Sequence, residues 1–287
     1  MPVSLISSVT HSGNPYVDGV LHGTKWNKTT VPTITYSFPT DAGAYKDDAS
    51  AWYTSSGFSV VSDQQIVAMK DILGGATGYT SMFSYGSFSS VIDYAFANVA
   101  SPTDGTEDTA IIRIAQSNRP GTAEVSDFPS DNPDGGDIWF GTAYAGTIYD
   151  FRTPTLGSYA WYTAIHEAGH AMGLKHGHQS YLPGHSNVPA DRNAMEFTIM
   201  TYATYLGDVT SGASNERYGF AQTLMMYDIA ALQYMYGANF TTHAGASTYR
   251  WDPLTGEMFI SENGGAFVGQ GRPGGPDAPN DGTANRV

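Results

Sequence analysis

Residues 162–178, YTAIHEAGHAMGLKHGH, hold four of the chain's eight histidines and one glutamate. On a helix, residues four apart are separated by about 400° of rotation, so His166 and His170 project from nearly one face, one turn apart. Two imidazoles so placed can share one ion. Glu167 lies about 100° round from His166, close enough to reach a water at the metal without displacing a ligand, which is the position of a base. A catalytic zinc site usually has three protein ligands and a fourth position for water. Were the helix to continue, His176 would sit about 600° beyond His170 and point away from the ion. Gly173 removes that difficulty, because glycine accepts the left-handed conformation that ends a helix and lets the chain turn back. His178 competes for the third position and ranks lower, its spacing fitting no better.

These residues need a helix beneath them and a core to hold it. The helix is expected to begin near Ser158 or Tyr159. A second long helix fits 220–237, with Leu224, Asp228, Ala231 and Met235 at helical spacing and Gly237 as terminator. Upstream, TITYSF at 33–38 alternates in the period of a strand with one face buried. SDQQIVAMKDILGG from Ser62 reads as a helix: Ser62 and Gln65 form a capping-box signature, Ile66, Met69 and Leu73 share a face, and Gly74 stops it. Further strands are expected at 91–99, 110–117 and 137–145. Between the last two lies an acidic loop, EVSDFPSDNPDGGD, punctuated by Pro and Gly. After Asn239 the chain reads as turns and weak strands, and 269–287 has the Gly/Pro/Asp content of a linker or tail.

Composition narrows the partners. Twenty-seven acidic residues against 13 basic ones give a formal charge of -14, which repels nucleic acid and anionic membranes. With no cysteine, no disulfide forms and every metal ligand is His, Asp, Glu or Tyr. No stretch approaches the ~20 apolar residues that a membrane span needs, so a soluble chain is expected. The first residues have neither a basic start nor an apolar run, so no secretory leader of the usual kind is expected there.

The whole pattern, H-E-x-x-H-x-x-G-x-x-H, resembles the zinc signature of the metzincin metalloproteases. Downstream, FTIMTYATY supplies a methionine turn at Met200 with Tyr202 two residues later. That Met-x-Tyr spacing is similar to the astacin and serralysin branches, in which the tyrosine is a fifth, switchable zinc ligand. ITYSF, GDIWF and YDIAALQYMYGAN are similar to serralysin catalytic domains, and the resemblance covers most of residues 15–240. It departs in two places. Serralysins commonly have proline after the third histidine, where this chain has Gly177, and no repeat of their C-terminal calcium-binding roll occurs within these 287 residues, as expected of a fragment or processed form or of a divergent member without the roll.

The resemblance implies an α/β (α+β) metzincin fold: a twisted, mostly parallel sheet with an antiparallel edge strand, an active-site helix and a C-terminal subdomain helix. It implies a catalytic domain over 21–240, its zinc cleft lying between 21–176 and 177–240, flanked by an N-terminal extension (1–20), a candidate pro-segment, and a C-terminal extension or linker (241–287). The implied function is a secreted, extracellular, monomeric zinc endopeptidase. One Zn²⁺ would be held by His166, His170 and His176, with Glu167 taking the proton of a zinc-bound water and Tyr202 leaving the metal to bond the oxyanion. Protein or peptide substrate would lie extended along an edge strand, for which DIWFGTAYA (137–145) is the candidate. The specificity pocket is expected among residues 178–193. Calcium is a second candidate metal, on Asp131, Asp134 and Asp137. Two other functions compete: a catalytically idle binding module of the same fold, against which Glu167 argues, and a zinc hydrolase of a non-protein amide. His11, His22, His185 and His243 show no partner pattern.

Overall fold

The computed structural model describes residues 3–46, 50–55, 57–75, 86–180, 186–253 and 258–270. In chain order the elements are β1 (Ile6–Ser8), α1 (Pro15–Asp18), β2 (Thr24–Trp26), β3 (Thr33–Ser37), α2 (Ala51–Thr54), α3 (Asp63–Leu73), α4 (Phe88–Val91) and β4 (Ala95–Asn98). They continue with β5 (Ile112–Ser117), β6 (Ala123–Val125), β7 (Ile138–Gly141), α5 (Tyr159–Ala171), α6 (Met226–Tyr236), β8 (Ser247–Trp251), β9 (Met258–Glu262) and β10 (Val268–Gln270). The strands β4-β3-β5-β7-β6 form one sheet, parallel throughout except for β6, which runs antiparallel to β7 at the edge. This is the mixed α/β architecture that the resemblance implied.

The period of two in the strands divides the core. Ile34 and Tyr36 of β3, Ile112 and Ile114 of β5, and Ile138 and Phe140 of β7 join one large apolar cluster with α3 and α5. Ala115 and Trp139, pointing the other way, meet Tyr45, Tyr53 and Phe58 in a smaller one. Ser62 caps α3 by accepting from Gln65 N at 3.1 Å, while the Gln65 side chain returns to Ser62 N at 2.9 Å. Gly74 ends that helix at φ +81°, as the sequence predicts.

Three expectations need correction. DIWFGTAYA supplies β7, which is an interior strand, and the edge belongs to β6, a three-residue piece from the start of the acidic loop. Helix α6 starts at Met226 rather than at 220, because Phe220 N bonds Gly157 O at 3.0 Å and Met225 N bonds the Asp228 carboxylate at 2.9 Å, which fixes the first turn there. The carboxylates proposed for calcium do not converge. Asp131 accepts from Ser4 Oγ at 2.8 Å and Leu5 N at 2.6 Å, whereas Asp137 forms an ion pair with Arg113 at 2.6 Å, both side chains 1% exposed.

The N-terminal segment is part of the body. β1 pairs with β2, α1 packs on α6, and Leu21 bridges to Leu174 immediately after the histidine helix. At the other end β8, β9 and β10 form a separate antiparallel sheet; residues 271–287 of the expected tail lie outside the described residues. No helix among the described residues is long and apolar enough to cross a membrane.

Candidate functional site

Helix α5 carries the first two histidines. Ser158 caps it, accepting from Trp161 N at 3.2 Å, and it ends where Gly173 takes φ +93°. There Gly173 N donates to His170 O and Leu174 N to Gly169 O, both at 2.9 Å. This is the paired 5→2 and 6→1 closure that a left-handed residue allows. A Cβ at Gly173 would lie 2.5 Å from Thr24 O, so close approach and backbone sign both call for glycine. The chain then runs back along residues 20–22, with His22 N on Gly173 O at 3.0 Å and Lys175 N on Val20 O at 2.7 Å. His176 arrives beside the helix.

The three imidazoles meet. His176 Nε2 lies 3.0 Å from His166 Nε2 and 3.0 Å from His170 Nε2. Each Nδ1 faces an oxygen: Ile199 O at 2.8 Å for His166, Leu174 O at 2.7 Å for His170 and Gln179 Oε1 at 2.8 Å for His176. These oxygens can only accept, so each Nδ1 carries the proton and each Nε2 presents a lone pair. Burial lowers all three pKa values, His166 to about 3 and His170 well below its ordinary value, which keeps the rings neutral. Three converging lone pairs repel unless a cation lies among them, and three neutral imidazoles are a donor set that zinc accepts. Among the described residues this is the one His/Asp/Glu group placed to hold a metal ion.

The Met-turn supports the histidines from below. Gly169, lacking a Cβ, lets Met200 Sδ approach the helix; a Cβ there would lie 2.7 Å from the sulfur. Ile199 O, which orients His166, is held in turn. The Asp228 carboxylate accepts from Ile199 N at 2.9 Å and Thr198 Oγ1 at 2.5 Å, and Tyr162 Oη lies 2.8 Å from Thr201 O. Burial raises Asp228 to about 6, and its three hydrogen bonds oppose that rise. Gly177 N donates to Met200 O at 2.8 Å, a bond that proline cannot make. The departure from the family pattern at this position thus ties the third-histidine loop to the Met-turn.

Glu167 is 5% exposed, and burial first, then the charge of Glu124, raises its pKa to about 8 against a lowering bond from Val125 N–H. It lines a cavity of about 170 Å³ with Thr122, Ala123, Tyr159, Thr163 and Ala213. None of residues 178–193, the expected specificity segment, lines that cavity, although 181–185 lie outside the described residues. Tyr202 Oη stands 2.9 Å from His176 Nε2 and donates to it. His178 stacks on His176 at 5.2 Å and lies 4.7 Å from the Tyr202 ring but stays outside the converging trio.

Elsewhere, His11 lies 3.7 Å from Asp18 and His243 3.3 Å from Glu262. His22 stacks on Phe128, which packs edge-on against His170 at 5.3 Å. His185 is outside the described residues. Sequence reasoning missed Gly169, Gln179 and the holding role of Asp228. For Asp228 the signal was present: a carboxylate on the apolar stripe of a helix needs a buried partner.

No family model matches this chain. Among curated proteins it is 33% identical over 126 residues to Serralysin of Proteus mirabilis, covering 42% of this chain and 24% of that protein. It is 32% identical over 146 residues to Serralysin C of Dickeya chrysanthemi (49% and 29% covered). With Metallopeptidase AprA of Pseudomonas marginalis it shares 28% over 175 residues (60% and 33%). The chain thus spans about a quarter to a third of the length of these relatives, and it resembles serralysins over about half of its own.

Proposed function

We propose that this chain is a zinc-dependent endopeptidase that hydrolyses internal peptide bonds of proteins or peptides. The observation that carries the reading is the convergence of the Nε2 atoms of His166, His170 and His176, 3.0 Å from His176 to each of the others, beside a buried Glu167. The serralysin and metallopeptidase names of the relatives support the same substrate class.

His166, His170 and His176 would hold the zinc ion, which when bound supplies Lewis acidity to a water and to a substrate carbonyl. Glu167 takes the proton from the attacking water onto its carboxylate and delivers it to the departing amine nitrogen. The peptide C–N bond breaks as the new C–O bond forms, so one water is consumed and one carboxylate and one amine leave. Tyr202, whose hydroxyl already points at His176 Nε2, swings to donate to the oxyanion of the tetrahedral intermediate. Strand β6 replaces 137–145 as the docking edge: among the described residues the one strand it pairs with is β7, and Ala123 lines the cavity beside Glu167. An extended peptide can therefore add a strand there. Residues 21–176 and 177–240 form the two sides of this cleft in our reading, and the enzyme works outside the cell as a monomer.

Purified protein loaded with one equivalent of zinc should cleave casein, lose that activity to a chelator and regain it with added zinc. Glu167→Ala should keep the zinc and lose nearly all turnover. Casein cleavage at the parent rate by Glu167→Ala would overturn the mechanism, and zinc binding without cleavage by the parent would overturn the function.

A further inference from the structure

Lys175 sits between the glycine that ends α5 and the third histidine, and its side chain is 0% exposed. Buried lysines normally face a carboxylate. Among the described residues this one has no ion-pair partner; its ammonium is surrounded by main-chain oxygens. Nζ lies 2.5 Å from Gly19 O, 2.8 Å from Gln179 O, 3.1 Å from Ser186 O and 3.3 Å from His176 O. Three N–H bonds thus serve four carbonyls.

The carbonyls belong to separate stretches of chain. Gly19 closes α1 in the N-terminal segment, His176 and Gln179 belong to the loop that carries the third ligand, and Ser186 lies further along that loop. Gln179 is also the residue whose Oε1 orients His176 Nδ1, at 2.8 Å. The ammonium therefore grips the main chain at the third histidine, at the residue that aims it, and at the N-terminal segment behind both. His166 and His170 need no such device, because a regular helix fixes their backbone and main-chain oxygens aim their rings.

We propose that Lys175 is a positioning residue for the metal site: by closing the carbonyls of Gly19, His176, Gln179 and Ser186 round one ammonium, it holds His176 against the ion and sets the affinity for zinc. This rests on the zinc-site reading above. The N-terminal segment accordingly becomes a brace for the third ligand.

The test is zinc affinity, read by competition between the metal-free protein and a chromogenic chelator, with Zn²⁺ alone as the probe. Lys175→Met keeps the stem and removes the ammonium. It should bind zinc about 10–100-fold more weakly than the parent, the range found when partners of metal ligands are removed. Its cobalt-substituted form should show altered visible bands, because one nitrogen donor is lost or displaced. Lys175→Arg, which keeps the charge and the donors, should recover most of the affinity. Leu21→Ala removes a buried apolar side chain from the same segment without touching the cage; it should lower the melting temperature and leave zinc affinity within about threefold. If Lys175→Met does not fold, Lys175→Gln replaces it in every comparison.

Three results would overturn the proposal: parental zinc affinity and cobalt bands in Lys175→Met, an arginine variant no better than the methionine one, or a loss in Leu21→Ala as large as in Lys175→Met. A parent that binds no zinc would instead overturn the reading of the site itself.

Discussion

Replacing Glu167 with Gln should make the metal-free protein more stable, and more so as the pH rises. Burial and the Glu124 charge raise the folded-state pKa from 4.5 to about 8. Between those two values the folded chain binds more protons than the unfolded one, so this group's contribution to stability falls as pH rises through the window. Glutamine has nearly the same shape, keeps an oxygen to accept from Val125 N–H and does not titrate. The two values lie about 3.5 apart, and at ~1.36 kcal/mol for each the penalty approaches ~5 kcal/mol above pH 8 and ~3 kcal/mol at pH 7. Relaxation and water entry trim such figures, so ~2–5 kcal/mol is expected at pH 9 and none below pH 4. The histidines titrate alike in both proteins and cancel from the difference. Urea unfolding of both proteins in chelator, followed by far-UV circular dichroism at pH 4, 7 and 9, measures it directly. A gap of the same size at all three pH values, or a less stable glutamine variant at pH 9, refutes the reasoning. With zinc present the gap should shrink, because a nearby positive charge favours the carboxylate.

Three more substitutions probe the parts that hold the site. Tyr202→Phe should lower kcat about 10²–10³-fold while leaving zinc content and KM unchanged, since three histidines remain to hold the metal and the hydroxyl acts on the oxyanion; steady-state kinetics on a quenched fluorescent peptide decides, and an unchanged kcat removes Tyr202 from the mechanism. Gly177→Pro deletes the N–H that bonds Met200 O and places carbon near Val188 Cγ2, which a Cβ would meet at 3.0 Å. A loss of ~1–3 kcal/mol in urea unfolding is expected, and no loss would mean that the loop has a second conformation. Asp228→Ala leaves Thr198 Oγ1, Ile199 N and Met225 N without their acceptor, so a loss of at least ~3 kcal/mol is expected by the same measurement, and one under ~1 kcal/mol would show that the Met-turn holds itself.

What the sequence made legible was local. The spacing of His166 and His170, the stop at Gly173 and the box at Ser62 and Gln65 are each decided within a turn or two of chain, and the structure has all of them. Features decided by distant partners are not legible in this way. Strand β6 is three residues, Ala123, Glu124 and Val125, inside a stretch of Asp, Pro and Gly; it is a strand because β7 pairs with it, and nothing local says so. The longer apolar run at 137–145 is therefore the one that reads as an edge strand. Asp131, Asp134 and Asp137 recur every third residue and look like a shared ligand set, yet the partner of Asp137 is Arg113, 24 positions upstream. The apolar pattern of α6 extends back to Phe220 because Phe220 and Leu224 are both buried, but as loop residues, with Phe220 packing on Tyr159 and Tyr162 of α5.

The same division between local and distant determinants orders the three proposed ligands by how easily each should be lost. His166 and His170 are aimed by main-chain oxygens of Ile199 and Leu174, which no side-chain substitution removes. Their geometry lasts as long as the Met-turn and the end of α5 do. His176 has no helix beneath it and is aimed by a side chain, Gln179, within a loop closed by Lys175 and by the Gly177–Met200 bond. Removing any one of those supports should loosen His176 and weaken zinc binding while leaving His166 and His170 in place. Mild denaturant should therefore release zinc before α5 unfolds, with the metal leaving at a lower urea concentration than the one at which far-UV signal is lost. Coincident transitions would show that the third ligand is as firmly seated as the other two.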